Sequence, residues 1–194
     1  MNNFLGTCIK QFQYYKSLGD KTFEQLSTEQ LFWHPNDSSN SIALIVKHLG
    51  GNMLSRWTDF LTTDGEKDDR NRDREFENTW TDRDELISYW NTGWTCLFEA
   101  IGSLDENDFD KIIYIRHQGH TVMEAILRQL AHYPYHIGQI LYIGKICLGD
   151  TWSSLSIPKG HSLSYNEEKF RQKKQQQHFT SEFLTNDQEN TPEH

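Results

Sequence analysis

The chain is poor in the features that mark several protein classes. Its 194 residues include three cysteines, Cys8, Cys96 and Cys147. These are too few and too scattered for a disulfide framework or a CxxC zinc site. No apolar run approaches the ~20 residues that span a bilayer. The opening MNNFLGTCIKQFQYYK lacks the charged-then-apolar order of a secretory leader. Basic charge is also scarce: 19 Lys and Arg stand against 28 Asp and Glu, a net charge of −9. That balance argues against a nucleic-acid surface, which is basic. There is no internal repeat. The expectation is a cytoplasmic protein with reduced thiols, without nucleic-acid or membrane partners. A length of 194 residues suits one domain that buries a core without disulfides or a structural metal.

Aromatics are plentiful, at 13 %, and so are histidines, of which there are nine. Four stretches carry helical periodicity. The first spans about 3–26, with Phe4, Cys8, Phe12 and Tyr15 on one face. A short turn follows, opened by the capping-box pair Ser27 and Gln30. The second long helix covers about 41–62, with Ile42, Ile45, Leu49, Met53 and Trp57 as its stripe. Gly50-Gly51 weakens its middle, and close packing against a neighbouring helix is one reason to tolerate the pair. The third covers about 82–103, with Thr81 as N-cap and Leu86, Trp90, Trp94, Leu97 and Ile101 facing inward. The fourth, about 121–148, opens on a Thr121/Glu124 capping box. It is apolar on more than one side, as in a central helix or a subunit interface, and a homodimer is expected.

Between helices three and four, IIYIR (112–116) reads as a strand, with Gln118-Gly119 turning a small hairpin. The connection from Thr63 to Trp80 is long and charged. At roughly 3.3 Å per residue it can span a whole helix and return the chain to its starting end. The fold predicted is therefore all-α, a four-helix bundle with a long crossover in up-down-down-up order. Residues 1–165 form the bundle. Residues 166–194 form a polar extension, with a surface helix at 167–175 and disorder from about His178. The mixed-charge tract 64–77 reads as a solvated crossover.

Two signals bear on chemistry. His132 and His136 are one helical turn apart and can share a metal. By itself this spacing equally suits ordinary hydrogen-bonded or surface histidines. No Glu lies inside the motif, so it is not the HExxH of zinc peptidases. Gln139 follows on the same face. His48 lies beside the second helix's stripe, with Asn52 one turn on. It is either a satisfied core histidine or, if it faces the pair, a third ligand. Pro134 removes a backbone donor and crowds the Leu130 carbonyl, so a kink would change how the pair converges. His117 and His120, near the hairpin, read as solvated. Asp59 shares the face of His48 about three turns away, and no carboxylate is placed as a general base.

NSIALIVKHLGGNMLSRW (40–57) and HYPYHIGQILYIGK (132–145) together resemble the DinB-like superfamily of YfiT-type proteins. The match extends to LSTEQLFWHP before the second helix and LSIPKGHSLSYNEEKF after the fourth, so it covers about residues 3–170. It is nearest to a Bacillus-type branch of unknown function. The resemblance implies one divalent metal ion on His48, His132 and His136, with Gln139 or Asn52 supporting the ligands. Zinc, nickel and iron all suit imidazole. It further implies a metal-dependent transferase that joins a low-molecular-weight thiol to a small electrophile. A hydrolase, or a non-enzymatic metal-binding or dimerising stress protein, is the alternative.

Overall fold

A computed structural model of the chain describes residues 3–77 and 79–184. The described residues are mostly helical, with seven α-helices and one two-stranded sheet. The helices are α1 (Asn3–Gln25), α2 (Thr28–Phe32), α3 (Ile42–Trp57), α4 (Arg83–Gly102), α5 (Val122–Leu148), α6 (Ser162–Arg171) and α7 (Ser181–Leu184). Among them no helix is long and apolar enough to cross a membrane.

Local signals set most boundaries. Both capping boxes form: Ser27 with Gln30 opens α2, and Thr121 with Glu124 opens α5. Asp82, rather than Thr81, caps α4 by accepting from the Asp84 amide. Helix α3 ends at Trp57, short of the expected residue 62, because Asp59 adopts a left-handed φ of 48°. The Asp59 carbonyl then takes the Thr62 and Thr63 amides in a tight turn.

The predicted inward faces are the core. Ile42, Ile45, Leu49, Met53 and Trp57 of α3 are buried, as are Leu86, Trp90, Trp94, Leu97 and Ile101 of α4. Tyr133 of α5 is fully enclosed and packs against Phe12 of α1 and Trp94 of α4. The contacts also give directions. Gly50 approaches Tyr89 and Gly93, while Thr58 meets Cys96, so α3 and α4 run the same way. Phe12 meets Tyr133 and Thr22 meets Gly144, so α1 and α5 run the same way. Trp57 meets Tyr133 while His48 meets His136, so α3 and α5 run oppositely. Close packing against a neighbouring helix, the reason expected for the glycine pair, holds for Gly50, whereas a Cβ on Gly51 would meet Glu75. A Cβ on Gly93 would sit 3.0 Å from the Gly50 Cα, and one on Gly50 would overlap the Tyr89 ring.

The hairpin lies where the composition put it, as β1 (Ile112–Ile115) and β2 (Gln118–Thr121), but its turn is displaced. Ile115 pairs with Gln118, so the turn is Arg116-His117 rather than Gln118-Gly119. Both residues have positive φ, 53° and 63°, as a two-residue hairpin turn of this hand requires. The Asp64 carboxylate accepts both of their amides at 2.8 Å and holds the turn open to non-glycine residues. Against the burial that would raise it, those amides and that of Glu66 hold the Asp64 carboxyl down at about 2.

The surface helix after α5 begins earlier than expected, at Ser162 rather than 167. Disorder expected from His178 does not extend over 178–184. Thr180 is buried there, and Phe179 and Phe183 pack on Tyr14 of α1. For 185–194 that expectation lies outside the described residues.

Candidate metal centre

Helix α5 runs unbroken through Pro134. The 3.6-residue period places His132 and His136 on one face. Their ring centroids are 4.8 Å apart, and the two Nε2 atoms are 3.1 Å apart. Antiparallel α3 brings His48 against them, with ring centroids 5.5 Å from His132 and 4.9 Å from His136. One ring nitrogen from each of the three lies within 4.8 Å of the others.

What orients the rings is a set of three outer hydrogen bonds. His48 Nδ1 donates to Glu75 Oε2 at 2.9 Å. His132 Nδ1 faces Gln129 Oε1 at 3.1 Å, and His136 Nδ1 faces Gln139 Oε1 at 2.8 Å. Gln139 is itself fixed by donating to the Tyr135 hydroxyl. In a neutral ring an Nδ1 that meets an oxygen acceptor carries the one proton, which leaves Nε2 as a lone pair. The His132 and His136 lone pairs then oppose each other across 3.1 Å with no proton between them. A cation relieves that repulsion. With bonds of 2.0–2.1 Å to imidazole, a tetrahedral ion needs ligand nitrogens about 3.4 Å apart, close to this spacing. The donor set fits a divalent metal held by neutral imidazoles, with the second ring nitrogen of each bonded outward.

The electrostatics agree. Burial pushes the His132 imidazole down to about 3, and the neighbouring His136, His48, Arg128 and Arg56 add to the effect. Burial also lowers His136, against the hydrogen bond to Gln139. Both rings are therefore neutral near pH 7, the form in which imidazole binds a metal.

Glu75 is the member that sequence reasoning missed. The tract 64–77 was expected to be solvated, yet Glu75 is only 6 % exposed. It sits in a 3₁₀ turn at residues 73–76, and Arg70 clamps it through Nε at 2.7 Å and Nη2 at 3.0 Å. Against the burial that would raise it, the His48 and Arg70 hydrogen bonds hold the Glu75 carboxyl below the usual carboxylate range. Phe76 stacks on the His48 ring at 5.2 Å. Gln129 was likewise not singled out, although i,i+3 spacing from His132 could have flagged it.

Gln139 touches the His136 ring. Asn52 lines the same cavity as His48 and His132, and its Oδ1 accepts from the buried Tyr133 hydroxyl, which in turn accepts from Trp57 Nε1. His117 and His120 stay on the hairpin, outside the cluster. Asp59 sits in the turn after α3 and is not a member of the histidine cluster.

A family model described as a protein of unknown function (DUF1572) matches residues 1–161. Comparison with curated proteins and with solved structures returns no match.

Proposed function

We propose that this chain, which belongs to the DUF1572 family, binds one divalent metal ion through His48, His132 and His136 and uses it in catalysis. The observation that carries the reading is the arrangement of the three rings. Each Nδ1 is tied to an outer oxygen, the Nε2 atoms of His132 and His136 are 3.1 Å apart, and one ring nitrogen of each of the three lies within 4.8 Å of the others. On this reading the four long helices form a DinB-like four-helix bundle with a long crossover. Three protein ligands leave a coordination position for a small molecule.

Held by His48, His132 and His136, a divalent ion would supply Lewis acidity that brings the pKa of a small thiol or water toward neutrality. Three neutral imidazoles leave the ion its full positive charge, and Glu75 and Gln139 hold two of those rings in place. The activity proposed is transfer of a low-molecular-weight thiol to a small electrophile. A carbon–sulfur bond forms, the leaving group departs with its electron pair, and the thiol proton passes to solvent. The metal is zinc, nickel or iron.

Elemental analysis of the purified protein tests the binding: one metal per chain is expected, lost in His48→Ala with helicity retained. Full metal content in that variant overturns the three-ligand site. Turnover of a halogenated nitrobenzene with a small thiol, dependent on added metal, tests the chemistry. Inactivity across thiols and metals favours a binding role.

We also propose a homodimer through the outer face of α5. Tyr135, Tyr142 and Ile146 share that face, and all three are exposed. Sedimentation of wild type and Tyr142→Asp tests it, with the variant expected at half the mass.

A further inference from the structure

A chain with a net charge of −9 nonetheless holds a strongly cationic cavity beside its histidine cluster. The cavity measures about 180 Å3 and opens against His48 and His132. Five guanidiniums line it: Arg56, Arg70, Arg72, Arg116 and Arg128. The chain has eight arginines and eleven lysines, yet no lysine lines this cavity. That selection matters, because the planar guanidinium fork matches the two oxygens of a carboxylate or phosphate, whereas an ammonium is a point charge.

The five come from four separate segments: α3, the crossover, the hairpin turn and α5. Arg56 and Arg70 form the floor, with side chains only 7 % and 6 % exposed. Arg72, Arg116 and Arg128 are exposed at the rim. Their positive charge is only partly compensated. Glu66 pairs with Arg56, Arg70 and Arg116, and Glu75 pairs with Arg70. Two carboxylates against five guanidiniums leave three positive charges. Among the described residues Arg72 and Arg128 have no carboxylate partner. Arg56 Nη1 is satisfied by the Gly65 carbonyl and Glu66, but its Nε is buried with no acceptor. A buried donor left unpaired is costly, and an incoming oxyanion would supply the missing acceptor.

We propose that this cavity binds the carboxylate or phosphate head of a small substrate and thereby sets its reacting group at the histidine cluster. The placement of the reacting group rests on the metal-site reading; the anion pocket itself does not. The volume is below that of pockets for drug-sized ligands, roughly 300–1,000 Å3, so it accommodates a head group rather than a whole large molecule. Cationic walls in a confined cleft also raise the local concentration of anions.

Calorimetric titration of chelator-treated, metal-free protein at fixed ionic strength tests the pocket, with inorganic phosphate in one arm and succinate in the other. Saturable binding with one site per chain is expected in at least one arm, and the arm identifies the head group. The double variant Arg72→Gln/Arg128→Gln changes only exposed side chains. It should weaken binding about tenfold or more. A control, Lys10→Gln/Lys174→Gln, removes the same charge from other exposed positions and should weaken binding by less than about twofold, as expected of distant screened charges. Absence of binding in both arms, or equal weakening in variant and control, overturns the pocket. Uptake of added zinc, nickel or iron by separate aliquots of the same metal-free protein separates the two readings. Metal without anion binding sinks the pocket alone, and anion binding without metal uptake sinks the metal site alone.

Discussion

Glu75 accepts a 2.9 Å hydrogen bond from Nδ1 of His48, 27 residues earlier in the chain. That contact makes the crossover part of the site. The carboxylate fixes which ring nitrogen of His48 carries the proton, and Arg70 fixes the carboxylate.

Glu75→Ala should therefore have two separable effects. Removing one side of a buried pair leaves the Arg70 guanidinium with only the longer Glu66 contact, at a cost of about 3 kcal/mol in denaturant unfolding. Loss of the outer bond to His48 should weaken metal binding about 10–100-fold, read by chelator competition. Glu75→Gln keeps an oxygen for His48 and should recover part of the affinity. Unchanged affinity in the alanine variant would show that His48 needs no orienting partner.

The adjacent glycines should separate by readout. Gly50→Ala inserts a methyl into the Tyr89 ring at the α3–α4 crossing. Overpacking of about 1–3 kcal/mol should outweigh the helix-propensity gain of about 1 kcal/mol, so the melting temperature falls. In Gly51→Ala the new methyl would lie 2.5 Å from Glu75 Oε1. There the propensity gain offsets the strain, and the main effect should be weaker metal binding.

Tyr133→Phe should cost about 1–3 kcal/mol, since it strands the Trp57 indole N–H and the Asn52 carbonyl in the core. Helicity should be retained. The measurement is urea unfolding, and a loss below about 0.5 kcal/mol, the low end for one hydrogen bond, would show that water or repacking replaces the hydroxyl.

Acid should destabilise the metal-free protein within a defined window. His132 titrates at about 3 when folded, against 6.5 ordinarily. Between those values the unfolded chain binds a proton that the folded chain does not, so stability falls as pH drops below about 6.5. His136 shifts in the same direction. The double variant His132→Asn/His136→Asn should show a shallower fall over pH 6.5–4 in unfolding experiments. An identical slope would place the acid sensitivity elsewhere.

The amino-acid sequence by itself determined what depends on neighbours a few residues apart. The helical period aligned His132 with His136, the capping boxes opened α2 and α5, and the apolar stripes marked the core. It placed His48 on a helix face but could only suppose that the face meets the pair. Tertiary structure decided the rest. Glu75 and Arg70 lie in a tract whose composition is that of a solvated loop, and only the path of the crossover over α3 buries them. Asp64 moved the hairpin turn by bonding amides more than 50 residues away. Five arginines with no sequence pattern share one cavity because four segments meet at it. Periodicity and capping report interactions within one element, whereas these contacts join groups whose separation along the chain carries no repeat.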